Sequence, residues 1–229
     1  MKKTDRIVGI VGGLGPLAGV DLVRKLVRME EVSCDQEHAS WILLNLPSEV
    51  PDRTQALLHG GEDFVQPVVD QLVRLKEVGV DFGAIACNTS HARLDAIRNG
   101  SPIPVLDMIG ETVHYIAEFF SPGAKIGVLG TDGTLQLGLY DMPLQNADFL
   151  PLHPSTKRQP QQATNAIKRG DVVRGREILQ ECVDDLIQQG AEAVVLGCTE
   201  YPIALTEVDG LLIDPTEILA GAILRECRK

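Results

Sequence analysis

Two cysteines of the 229-residue chain stand in matched surroundings. Cys87 lies eight residues after Gly79, and Cys198 eight after Gly190. Each follows an apolar run ending in small residues, and the flanks read Cys87-Asn88-Thr89 and Cys198-Thr199-Glu200. A thiol on each face of one carbon can invert a stereocentre: a thiolate takes the α-proton and the opposite thiol returns a proton on the other side. Contacts of about 3–3.5 Å at each face set the sulfurs roughly 7 Å apart, whereas a disulfide needs about 2 Å. Ionising one thiol raises the apparent pKa of the other, and backbone N–H groups at a following helix start favour the first thiolate. The alternative is a pair of buried structural cysteines, the usual fate of a free thiol. Cys34, Cys182 and Cys227 lack this setting, and Cys182 reads as core.

The elements that carry these residues alternate strand and helix. Arg6–Val11, Trp41–Leu46, Phe82–Ala86 and Ile103–Leu106 read as strands, and Leu17–Arg28 and Phe64–Val78 as helices. Pro16 suits a first helical turn. The pattern predicts an α/β fold with parallel sheets flanked by helices. The second half repeats the first. Val8–Gly12 matches Ile126–Gly130, the 64–86 helix and strand match 178–197, and 103–107 matches 211–214, at offsets of 118, 111 and 107 residues. Three similar pieces in one order point to duplication, and two such copies would face each other across a pseudo-twofold with binding crevices at the strands' carboxyl ends.

The net charge of −11 argues against nucleic acid and anionic membranes as partners. Aromatics at 4% are too few for a base-stacking platform. No apolar run approaches the roughly 18 residues of a membrane span, and Met1–Gly13 does not read as a signal peptide. Five cysteines without a CxxC pair point to free thiols in a reducing cytoplasm.

Gly12-Gly13-Leu14-Gly15-Pro16-Leu17-Ala18, Asp35-Gln36-Glu37-His38, Pro51-Asp52-Arg53-Thr54, Cys87-Asn88-Thr89 and Gly197-Cys198-Thr199-Glu200 follow one another in an order found elsewhere. In them the chain resembles the cofactor-independent aspartate/glutamate racemase superfamily over its whole length, most closely the aspartate racemase branch. Glutamate racemases usually have Asp-Ser where Gly12-Gly13 stands and His where Glu200 stands, although Tyr201-Pro202 is similar to their branch. Gly19 replaces a Thr common in the aspartate branch.

The resemblance implies two pseudosymmetric α/β domains, residues 1–106 plus 214–229 and residues 107–213, with the active site between them. It implies Cys87 and Cys198 as acid/base pair, no pyridoxal phosphate or metal, and a cytoplasmic homodimer acting on an acidic amino acid. Asn88, Thr89 and Thr199 would hold the α-carboxylate or amino group, with Glu200 a further substrate contact. Arg53 and Lys168 would bind the distal carboxylate, a task suited to a fork of N–H donors. Alternatively Arg53 pairs with Asp52, and Lys168 complements a helix dipole. Thr131 would line the site, or sit in a plain turn.

Other readings fit less well. Gly13-x-Gly15-x-x-Ala18 fits a dinucleotide fingerprint, but Asn45-Leu46-Pro47 stands where a ribose-binding acid is needed. Cys87-x-x-x-His91 lacks a second pair of zinc-ligand spacing. A hydrolase relay leaves the second matched cysteine unexplained. The expectation is therefore cofactor-free racemisation of aspartate. The alternatives are a glutamate or broad-specificity racemase, a diacid isomerase or decarboxylase of the superfamily, and a non-catalytic binder of acidic amino acids.

Overall fold

The computed structural model describes residues 6–156, 159–205 and 211–229; the first five residues of the Met1–Gly13 stretch lie outside them. The chain divides into two compact units, Met1–Met108 with Thr216–Lys229, and Ile109–Pro215. The first contains β1 (Val8–Gly12), α1 (Pro16–Met29), β2 (Trp41–Asn45), α2 (Arg53–Leu58), α3 (Val65–Glu77), β3 (Phe82–Ile85) and α4 (Leu94–Gly100). α5 (Met108–Phe119) leads into the second, which contains β4 (Lys125–Gly130), α6 (Asp132–Gln136), α7 (Asp141–Asn146), β5 (Leu150–Leu152), α8 (Gln159–Lys168), α9 (Val172–Gln188), β6 (Ala193–Gly197), α10 (Tyr201–Ala204) and β7 (Leu212–Ile213). α11 (Pro215–Cys227) returns to the first unit. No described helix is long and apolar enough to cross a membrane.

Each unit has the predicted parallel sheet, ordered β2-β1-β3 in the first and β5-β4-β6-β7 in the second. Strands covered on both faces have no polar side, so β1, β3 and β6 are apolar or glycine throughout and wholly buried. In the first unit, Val11 and Ile85 meet Leu72 and Leu75 of α3 on one face. On the other, Val8, Ile10, Phe82 and Ala84 meet Leu219, Ala220 and Ile223 of α11.

The sequence offsets reappear as strand register. Val8 pairs with Phe82, and Ile126, 118 residues on, pairs with Ala193, 111 on. Gly83 N–H donates to Pro104 O at 2.7 Å, and Val194 N–H to Leu211 O, 107 residues after Pro104, at 2.8 Å. The helix-to-sheet packing matches too. A Cβ at Gly9 would fall 3.0 Å from Leu75 Cδ1, and one at Gly127 would fall 2.9 Å from Leu186 Cδ1. Gly79 and Gly190 end the preceding helices at φ +92° and +91°. Each is followed by a residue whose N–H reaches back five positions, Val80 to Leu75 and Ala191 to Leu186, the left-handed helix end that glycine favours.

Two spans differ from expectation. Ile103–Leu106 is not a full strand but a single parallel bridge, Gly83 to Val105. Pro104 has no N–H to extend a ladder, and Ser101 Oγ ties up both the N–H and the carbonyl of Ile103. The helix read from Ile178 begins at Val172, where Asp171 accepts Arg174 N–H. The glycine that obscured it, Gly175, lies where α8 crosses: a Cβ there would fall 2.4 Å from Ile167 Cγ1.

Gln71 of α3 is fully buried, and neither of its amide atoms finds a hydrogen-bond partner. A buried unsatisfied polar group costs about 1–3 kcal/mol. Gln71→Met, nearly equal in volume, is therefore expected to stabilise the chain by about 1 kcal/mol or more. A urea midpoint that rises at unchanged slope is the expected readout; a fall would mean that the amide is satisfied.

Candidate active site

Cys87 sits two residues beyond β3 and is held by its backbone. Its N–H donates to Ile85 O at 2.9 Å, and its carbonyl accepts from Ser90 Oγ and His91 Nδ1, each at 2.8 Å. Asn88 and Thr89 are buried at the start of a 3₁₀ turn over Thr89–Arg93. That turn brings positions three and four back to the Cys87 carbonyl, a helical spacing visible in the sequence. His91 thus contacts the backbone of Cys87, as a helix-start residue would.

His91 uses both ring nitrogens. A carbonyl only accepts, so Nδ1 carries the proton, and Nε2 accepts Met108 N–H at 3.2 Å. A second ring proton would oppose that N–H. Burial pushes the His91 pKa below its ordinary 6.5, against the pull of Asp107. The unfolded chain therefore binds a proton at this site near pH 6.5 that the folded chain still refuses, and stability is lost as pH falls below that value. Thermal unfolding should show Tm declining from pH 7 to 5. The decline should be shallower in His91→Asn, which keeps a donor near the Nδ1 position; equal slopes would remove His91 as the cause.

Cys198 follows β6 directly and is 4% exposed. Its Sγ donates to Glu200 Oε2 at 3.0 Å, and Thr164 Oγ1 of α8 lies 3.7 Å from the sulfur. Thr164 also lies 3.0 Å from the hydroxyl of Tyr201, which donates to Pro160 O at 2.8 Å. Burial pushes the Cys198 and Tyr201 pKa values well up, with the Glu200 charge adding to the first. Thr199 is buried beside them, its Oγ1 3.5 Å from Glu200 Oε2. Of the remaining cysteines, Cys182 lies in the core with its thiol pushed up to about 12 by burial. Cys227 is buried and Cys34 exposed.

Arg53, the first residue of α2, is 8% exposed. It does not pair with Asp52, which caps α2 by accepting Gln55 N–H. Instead it donates to Pro51 O at 2.9 Å and to Leu14 O in the loop after β1. Its buried Nε has no partner, and no carboxylate among the described residues pairs with it. The loop it grips is fixed at Gly13, whose φ is +80° and where a Cβ would come within 2.8 Å of the Leu46–Pro47 backbone. Lys168 ends α8, and its Nζ lies 3.8 Å from Glu200 Oε1. Thr131 caps α6, accepting Thr134 N–H at 3.2 Å. In the second unit Cys198, Glu200, Lys168 and Thr164 are thus one cluster. In the first, the Cys87 turn and the start of α2 with Arg53 follow the carboxyl ends of β3 and β2.

A family model described as Asp/Glu/hydantoin racemase matches residues 11–223. The chain belongs to that family. It is 27% identical to the broad specificity amino-acid racemase RacX of Bacillus subtilis (strain 168), over 93% of this chain and 95% of that one. A glutamate racemase of Corynebacterium diphtheriae is 31% identical over 67% of this chain, which spans only 56% of that relative. The solved structure of the Picrophilus torridus aspartate racemase superposes with a TM-score of 0.88 at 27% identity, covering 97% of this chain and 94% of that one. The two parallel sheets flanked by helices are thus the racemase fold, and the family resemblance in the motifs stands. Thr164 beside Cys198 and Lys168 beside Glu200 were missed, because α8, thirty or more residues earlier in the chain, supplies both.

Proposed function

We propose that the chain interconverts L- and D-aspartate without a cofactor, with Cys87 and Cys198 as the two bases. One thiolate takes the α-proton and becomes a thiol; the other thiol gives its proton to the opposite face of the carbanion and becomes a thiolate. Arg53 and Lys168 bind the distal carboxylate. Asn88, Thr89, Thr131 and Thr199 contact the amino-acid end. Arg53 carries this reading: a guanidinium buried without an anionic partner has unmet demand for one, and a planar carboxylate fits its fork. The protein as a whole is acidic, so an anionic substrate needs such a local cation. The name of the Picrophilus torridus neighbour agrees with this choice of substrate.

A second reading, racemisation of many amino acids, has in its favour the end-to-end match to RacX. It leaves the buried cation without a purpose for neutral side chains. Proton NMR of L-aspartate in D₂O, with reduced protein and no pyridoxal phosphate, separates the readings. Loss of the α-proton signal with appearance of D-aspartate is expected, with slower turnover of alanine. Equal rates for both would favour the broad enzyme, and an unchanged spectrum for aspartate would overturn the proposal. The same samples would be run by size-exclusion chromatography, where a homodimer is expected.

A further inference from the structure

Glu200 has the substrate-contact role in the family reading, yet its carboxylate faces a sulfur. Oε2 accepts the Cys198 S–H at 3.0 Å and lies 3.5 Å from Thr199 Oγ1. Oε1 has no hydrogen-bond donor but lies 3.8 Å from Lys168 Nζ. An ionised carboxylate only accepts. The proton between the two groups therefore belongs to sulfur, and a thiolate in that place would set two anions about 3 Å apart. The Lys168 charge and the Glu200 backbone N–H favour a thiolate here, but burial and the Glu200 carboxylate outweigh them. α8 supplies neutral Thr164 and Lys168, whose ion pair is with the far oxygen of Glu200. α10 supplies the neutral hydroxyl of Tyr201, and α9 supplies Cys182, buried in the same core cluster.

Resting on the two-cysteine reading above, we propose that Glu200 keeps the Cys198 proton on sulfur, so that Cys198 is the resting acid of the pair. Glu200 touches a reacting atom, the sulfur of Cys198. Without such a device the proton could sit on either thiol of the pair. With it, the free enzyme starts with the proton held on Cys198. The other form arises by turnover, when Cys87 gains the α-proton and Cys198 loses its own.

The test needs no substrate, so it stands or falls apart from racemisation. In a Cys87→Ser background, iodoacetamide alkylation of Cys198 is followed by peptide mass spectrometry from pH 6 to 10. The rising limb is expected above pH 9. Adding Glu200→Gln, which keeps an acceptor but removes the charge, should move the limb down by at least one pH unit. Adding Lys168→Met instead should leave Glu200 unopposed and slow alkylation at pH 9 at least threefold. A limb unmoved or raised by Glu200→Gln overturns the proposal. Should that variant not fold, alkylation unchanged or faster in Lys168→Met overturns it alone. In the unmutated protein at pH 7, Cys87 should be alkylated before Cys198; the reverse order would overturn the division of roles. Absent racemisation with a shifted limb would overturn the proposed function and leave the Glu200–Cys198 coupling in place.

Discussion

Serine in place of either Cys87 or Cys198 is expected to lower racemisation by roughly 10⁴-fold or more, at the upper end of what one general acid or base contributes. A hydroxyl ionises far above a thiol, so each variant loses the group serving one face of the α-carbon while the other face keeps its own. The two losses should look alike in racemisation and differ in deuterium exchange. A variant with one competent thiol can still remove and return a proton on its own side. Cys198→Ser should therefore wash deuterium into one enantiomer with retention, and Cys87→Ser into the other once the pH is high enough for Cys198 to give up its proton. The fold should survive in both cases. Serine at 198 can make the same donation to Glu200, and neither sulfur is part of a disulfide. NMR of each enantiomer in D₂O, with circular dichroism as control, checks this. Full racemisation by either variant would dismiss the two-base scheme.

Arg53→Met is expected to move activity and stability in opposite directions. Of the guanidinium's five N–H donors, two hold Pro51 O and Leu14 O. The rest, Nε–H among them, have no acceptor among the described residues. A buried cation without an anion penalises the free protein by several kcal/mol. Met keeps much of the volume and removes that penalty, at the loss of two hydrogen bonds worth about 1.5–3 kcal/mol each. The unfolding midpoint should hold or rise. The kcat/KM for aspartate should fall about 10²–10⁴-fold, as expected when two charge-assisted bonds to a carboxylate are lost. Alanine, with no distal carboxylate, should lose far less. Equal losses for the two amino acids would strip Arg53 of its role, and a large drop in stability would make it a structural residue. Arg53→Lys restores charge but not the fork, so it should recover only part of the activity.

The parts of this molecule that could be read before folding are those governed by local rules. An apolar run, a glycine at the end of a helix and a cysteine at fixed distance beyond it recur at 79–87 and 190–198 because β-strand and helix impose the same spacing each time. The register of β1 on β3 and of β4 on β6 then follows the offsets of those pieces. Local rules also misled. Pro104 lay inside an apolar run and made a strand look longer than it is, and Gly175 hid the first turns of α9. The surroundings of the two sulfurs divide in the same way. Ser90 and His91 lie one helical turn from Cys87 and were within reach of sequence spacing. Thr164 and Lys168 approach Cys198 and Glu200 from α8, and only the packing of α8 on α9 brings them there. The Arg53 grip on Leu14 spans 39 residues and two loops, and no periodicity encodes it.

The first unit is built from both ends of the chain, and this bears on how the protein is made. Val8, Ile10, Phe82 and Ala84 wait for Leu219, Ala220 and Ile223 of α11 to cover them. On a ribosome working at about 5–20 residues per second, the stretch from Met108 to Thr216 takes on the order of ten seconds to emerge. During that interval Leu22 and Leu26 of α1, without α11, cover that face of the first sheet, while the second unit, continuous in sequence, can close as soon as β7 is out. The nascent chain thus completes its later half first and carries an unfinished earlier half until α11 has emerged. The last helix is the latch of that half, and a stop codon ahead of it would leave a polypeptide with both candidate cysteines but a sticky sheet, a substrate for chaperones or proteases.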